Sequence, residues 1–152
     1  MRAVEAGFAD LAIARPRAVA GGRSIQLCQQ CHRSPGAKIE RTDPRAVRFA
    51  ATSLKWSSCF SATGGALDCV TCHDPHHNAE TEPRHYEAKC LSCHAGADRG
   101  GSAAPTRRAS VCPVNPRNGC IACHMPPISG QIPHSTFTDH FIRVRRPSDA
   151  TR

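Results

Sequence analysis

The stretch Cys69-Val-Thr-Cys72-His73-Asp74-Pro75-His76-His77, followed by Cys90-Leu-Ser-Cys93-His94, decides how the rest of the chain is read. The same Cys-x-x-Cys-His phrase stands twice more, at Cys28-Gln-Gln-Cys31-His32 and Cys120-Ile-Ala-Cys123-His124. With ten Cys and nine His in 152 residues, about 0.04 such phrases would arise by chance. The spacing has a chemical reason. Two thiols three positions apart can each add across one of the two vinyl groups of a haem, and the His that follows is then held under the iron as proximal ligand. Four phrases therefore predict four c-type haems, attached through Cys28, Cys31, Cys69, Cys72, Cys90, Cys93, Cys120 and Cys123, with His32, His73, His94 and His124 as proximal iron ligands.

Zinc is the main competitor, because residues 73–89 separate the Cys69/Cys72 and Cys90/Cys93 pairs by an interval that suits a four-Cys ribbon. A ribbon has no use for the His that closes every pair. A disulfide scaffold explains the repetition no better, since it requires no identical short pairs. Composition points the same way. One Trp, one Tyr and five Phe, set among 12 Pro and 11 Gly, leave little to build an ordinary apolar core. Something other than side chains has to fill the centre, and four porphyrins would do so. The formal charge of +8 invites a nucleic-acid or membrane-surface reading. Four haems, however, would add roughly −4 when ferric and about −8 when ferrous through propionates and porphyrin core, and no basic run is interleaved with stacking aromatics. Neither nucleic acid nor a membrane span is expected, the latter because no run of 18 or more apolar residues occurs.

The chain divides into an N-terminal arm over residues 1–26, a tetrahaem cytochrome domain over residues 27–147 and a short tail over residues 148–152. The arm lacks Cys and His and ends in the breaker Gly21-Gly22. Its Glu5, Asp10, Arg15, Pro16 and Arg17 interrupt any apolar h-region, so no export signal is visible in it. The strongest helix signal covers Asp43 to Ser57: Asp43 as N-cap, Pro44 at the first helical position, and Val47, Ala50, Ala51 and Leu54 at i, i+3, i+4 and i+7. Phe49 and Trp56 fall near that stripe and are expected to pack in the core, against porphyrin. Beyond Cys59, Gly and Pro punctuate the chain every few residues. The expected fold is mainly α with much irregular loop and almost no sheet, built around a haem core.

The phrases CVTCHDPH, CIACHMPP and HSTFTDHFIRVRRP resemble the multihaem c-type cytochrome modules often joined to tetratricopeptide repeats. More distantly they are similar to tetrahaem electron carriers and to the hydroxylamine-oxidising enzymes of nitrogen-cycling bacteria. The likeness runs from about Cys28 to Pro147. No tetratricopeptide repeat follows Pro147, which leaves a free-standing carrier or a fragment as the choices. The resemblance implies a periplasmic or extracellular setting, the oxidising side where haem is attached.

Five His remain for distal ligation: His76, His77, His85, His134 and His140. Five candidates for four irons suffice to fill both axial positions of every haem, as a pure electron carrier requires. The loop from His73 to His76 is too short to pass round a porphyrin about 10 Å wide, so His76 would reach a neighbouring haem. In the resembling families the His of the Cys-His-x-Pro-His phrase is such a ligand, which favours His76 over His77. The expected distal set is His76, His85, His134 and His140; Met125 is set aside because it abuts His124. Cys59 and Cys112 belong to no motif and most simply pair as a disulfide in an oxidising compartment.

The functional expectation is an electron carrier rather than an enzyme, with roughly 38 residues per haem, too few to keep the rings apart. Redox partner proteins are expected, and self-association into a filament. The alternative is the haem domain of a nitrogen-cycle-type oxidoreductase with one open haem, although the special attachment motif of such enzymes is not visible.

Overall fold

The computed structural model describes residues 23–32, 38–95 and 109–145. The described chain is mainly helical with much loop and has a single two-stranded hairpin, as the composition predicts. Most of the expected N-terminal arm, and the tail over residues 148–152, lie outside the described residues. The last residues of that arm belong to helix α1 (Arg23–Cys28), which buries Ile25 and runs directly into the first motif.

The segment after Asp43 is a tight 3₁₀ turn (Pro44–Arg48) followed by α2 (Ala50–Lys55), not one continuous helix. Its start is as predicted. The Asp43 carboxylate accepts from the Arg45 N–H at 2.8 Å, and Pro44 follows with its φ already suited to a helix. The break falls at Phe49, and the Ala46 carbonyl shows why. A continuous α-helix would offer that oxygen to the Ala50 N–H; here it accepts from the Phe49 N–H at 3.0 Å and from the buried Ser53 hydroxyl at 2.8 Å. The predicted stripe nonetheless holds, since Val47, Ala51 and Leu54 are buried, joined by Ala46. With Ile25 these are the buried apolar side chains of the described residues, a small core for such a chain.

Short helices follow. Helix α3 (Ser58–Ala62) carries Cys59, and α4 (Cys69–Cys72) opens on a capping box in which the Asp68 carboxylate accepts from Val70 N while Thr71 Oγ1 accepts from Asp68 N. Helix α5 (Pro83–His94) starts on Pro83 and ends in the third motif. Helix α6 (Cys120–His124) is entered from Gly119 at φ +71°. Strands β1 (Pro127–Ser129) and β2 (Thr136–Thr138) pair antiparallel, Ile128 facing Phe137. No described helix is long and apolar enough to cross a membrane.

What closes the fold is the stretch after β2. Ser57, fully buried, donates to the His140 carbonyl at 3.3 Å and accepts from the Ile142 N–H at 2.9 Å. One serine thus ties the end of the chain's described part to its first helices. Trp56 meets Phe141 edge-on, with centroids 5.8 Å apart, and Arg143 lies over the other ring at 4.3 Å.

Candidate functional site

Each Cys-x-x-Cys-His phrase lies on a helical turn. The first follows α1 with backbone bonds from Cys31 and His32 back to the Cys28 carbonyl, at 3.2 and 2.8 Å. The second is α4 with His73 donating to the Cys69 carbonyl at 2.9 Å. The third is the last turn of α5 and the fourth is α6. Positions i, i+3 and i+4 of a helix share one face. Both thiols and the imidazole of every phrase are thereby presented to the same side, as a single porphyrin requires.

The four turns lie beside one another in chain order. The Cys69 thiol is in hydrogen-bond contact with Cys28, and its pKa is raised by burial and by that neighbour. Cys90 lies near Cys120 and Cys72, and burial followed by those thiols pushes it up to about 12. The first motif therefore abuts the second, the second the third, and the third the fourth. Lys89 stands by Cys72, and the cleft beside this motif is lined by Cys72, His73, His77, His85, Tyr86 and Lys89.

Three imidazoles are fixed through Nδ1. His94 Nδ1 pairs with the Ser110 carbonyl at 2.7 Å, His124 Nδ1 with that of Arg143 at 2.9 Å, and His140 Nδ1 with that of Thr138 at 2.9 Å. A carbonyl only accepts, so Nδ1 carries a proton; in the neutral ring that leaves the lone pair on Nε2, the tautomer that a metal-ligating His adopts. Among the described residues His73 makes no such bond, but it is crowded. Burial depresses its pKa, and His140, His32 and His85 depress it further. Burial depresses His140 as well, with the Thr138 carbonyl and Asp139 opposing. In both rings burial favours the neutral form, the form that can donate to a metal.

The remaining expected ligands are placed less closely. His85 lies edge-on to Tyr86, centroids 5.1 Å apart, near His73. His76 and His77 are exposed in the turn after α4: the His76 N–H donates to Asp74 Oδ1 at 3.0 Å, and His77 Nδ1 faces Asp74 Oδ2 at 3.2 Å. His77 rather than His76 lines the cleft. His134, exposed in the hairpin loop, sits at φ +58°, a left-handed conformation unusual for His. Among the described residues no hydrogen bond or ring contact joins it to another candidate ligand. Fitted against the haem chemistry, the donor set is apt: paired thiols, three imidazoles with Nδ1 taken up by a carbonyl, and a small buried apolar core.

Cys59 and Cys112 form no disulfide, contrary to expectation. Each is drawn into a different neighbourhood. Cys59 on α3 lies near Cys93, Cys72 and Cys90, whereas Cys112 accepts from the Asn115 N–H at 3.4 Å and lies near Cys120.

Two residues central to the site escaped sequence reasoning. Ser57 carries no sequence signal at all. Asp139 does: an acid beside a candidate ligand, with Arg143 and Arg145 at i+4 and i+6. It is buried, accepts from the Phe141 N–H and from Arg143 Nη1, each at 2.9 Å, and is paired also with Arg145. No protein family, curated protein or solved structure matches this chain.

Proposed function

We propose that this protein is an electron carrier holding four c-type haems, attached through the eight motif cysteines, with His32, His73, His94 and His124 as proximal ligands and His76, His85, His134 and His140 as the distal set. The observation that carries the reading is the row of motif turns in chain order, Cys28 against Cys69, Cys72 near Cys90, Cys90 near Cys120. Cofactors anchored on adjoining turns stand close together, which is what stepwise electron transfer needs. When bound, each haem supplies one-electron iron redox chemistry. The chain's own contribution is to space the anchors, to orient imidazoles through their Nδ1 hydrogen bonds, and to exclude other ligands from the irons.

A periplasmic or extracellular location, exchange with redox partner proteins and self-association into a filament belong to the same proposal. Mass spectrometry of the denatured holoprotein tests the cofactor, since thioether attachment survives unfolding. Four retained haems are expected, and a chain heavier only by zinc, or by nothing, would end the reading. Carbon monoxide added to the reduced protein separates carrier from enzyme. A carrier with every iron six-coordinate leaves it unbound, whereas prompt stoichiometric binding at one haem would reveal an open site.

A further inference from the structure

We infer that His140 is the axial partner of His73, so that the haem anchored by Cys69 and Cys72 is gripped between the α4 turn and the segment that follows β2; the inference rests on the haem reading above. The distance is the first argument. The two imidazole centroids are 6.3 Å apart with their planes 37° from each other. That separation lies within the range of a tilted ring pair. It is also close to what two imidazoles on opposite sides of one metal would show, since two metal–nitrogen bonds of about 2 Å and about 1.1 Å from each nitrogen to its ring centre add to about 6.2 Å.

The tautomer is the second argument. His140 Nδ1 is taken up by the Thr138 carbonyl, which reserves Nε2 for a metal. Of the other imidazoles near His73, His32 is committed to its own motif, and His85 has no hydrogen bond fixing its ring among the described residues.

The mount of His140 is rigid. Ser57 bonds to the backbone on both sides of residue 141, through the His140 carbonyl and the Ile142 N–H. The buried Asp139 adds the Phe141 N–H and the two arginines. A buried carboxylate and a fully buried serine converging on three consecutive residues of loop is the kind of support that fixes a ligand's position. It also gives the fold its closure, because one iron would staple the second motif to the end of the described chain.

The experiment uses the holoprotein. His140→Gly keeps four haems by mass, and after reduction it binds one carbon monoxide per chain more than the wild type; added imidazole abolishes that extra site. In a three-haem background lacking the second motif (Cys69→Ala, Cys72→Ala, His73→Ala), His140→Gly creates no extra site. Absence of the extra site in the four-haem protein, or its persistence in the three-haem background, overturns the pairing. His140→Met guards against a glycine variant that fails to fold: it should raise the midpoint potential of one haem, an effect absent when the second motif is removed. A redox titration unchanged by His140→Met in the four-haem protein also overturns the pairing. A wild-type chain without covalent haem overturns the underlying reading instead, and the mass distinguishes that failure from the others.

Discussion

Replacing Ser57 by alanine tests how the end of the described chain is held. The side chain is 0% exposed, so water cannot take over the partners it abandons. The change removes a hydroxyl that accepts from Ile142 N at 2.9 Å and donates to the His140 carbonyl at 3.3 Å. An orphaned buried N–H costs about 1–3 kcal/mol; the carbonyl costs less, its bond being long and its second lone pair still available. The sum is about 2–3 kcal/mol. Because no carbon is lost, cavity formation adds little. Urea unfolding of the holoprotein, followed by far-ultraviolet circular dichroism, should show the midpoint falling by about 1 M or more at unchanged slope. Ser58→Ala is the control, one residue along and exposed, and should stay within about 0.5 kcal/mol. A Ser57→Ala midpoint equal to the control's would refute the claim that this hydroxyl anchors the His140 segment.

Three further outcomes are expected. Asp139→Asn leaves Arg143 and Arg145 without their shared carboxylate and should cost about 2–4 kcal/mol; since the cluster is mostly buried, 1 M salt should recover little of it, and a variant as stable as wild type by the same unfolding assay would contradict this. In the holoprotein, alkylation at pH 8 should label two cysteines. Cys112 reacts before Cys59, because the Asn115 and Val114 N–H groups lower the Cys112 pKa and enlarge its thiolate fraction, while burial raises that of Cys59; peptide mass mapping that finds a third label, or the reverse order, counts against it. Gly119→Ala places a Cβ 3.2 Å from Asn115 Nδ2 at a backbone with φ +71°, and should cost about 1–2 kcal/mol in thermal unfolding.

The second motif shows how differently the parts of this protein are encoded. That Cys69, Cys72 and His73 share a face follows from their spacing on one helical turn, and Asp68 and Thr71 start that turn from within the same few residues. That His140 stands opposite His73 depends on a serine 83 residues before it in the chain, and no local pattern announces it. The same division explains the Cys59 and Cys112 thiols: parity of leftover cysteines suggests a bridge, but the packing of α3 beside the second and third motifs places Cys59 elsewhere.

By itself the sequence determined the helical, loop-rich class, the Asp43 cap with Pro44 behind it, the buried stripe of Val47, Ala51 and Leu54, and the placement of each thiol pair with its His. These depend on interactions within about four residues, where backbone geometry leaves few options. Tertiary structure alone decided the interruption at Phe49, the hairpin of residues 127–138, the order in which the motif turns adjoin, and the apposition of His73 with His140. Each of these depends on competition between partners that come together only when the chain closes: the Ala46 carbonyl chose the Ser53 hydroxyl over Ala50, and the backbone around Phe141 found Ser57. Short-range pattern cannot rank such competitors, because their energies are set by which groups burial withdraws from water.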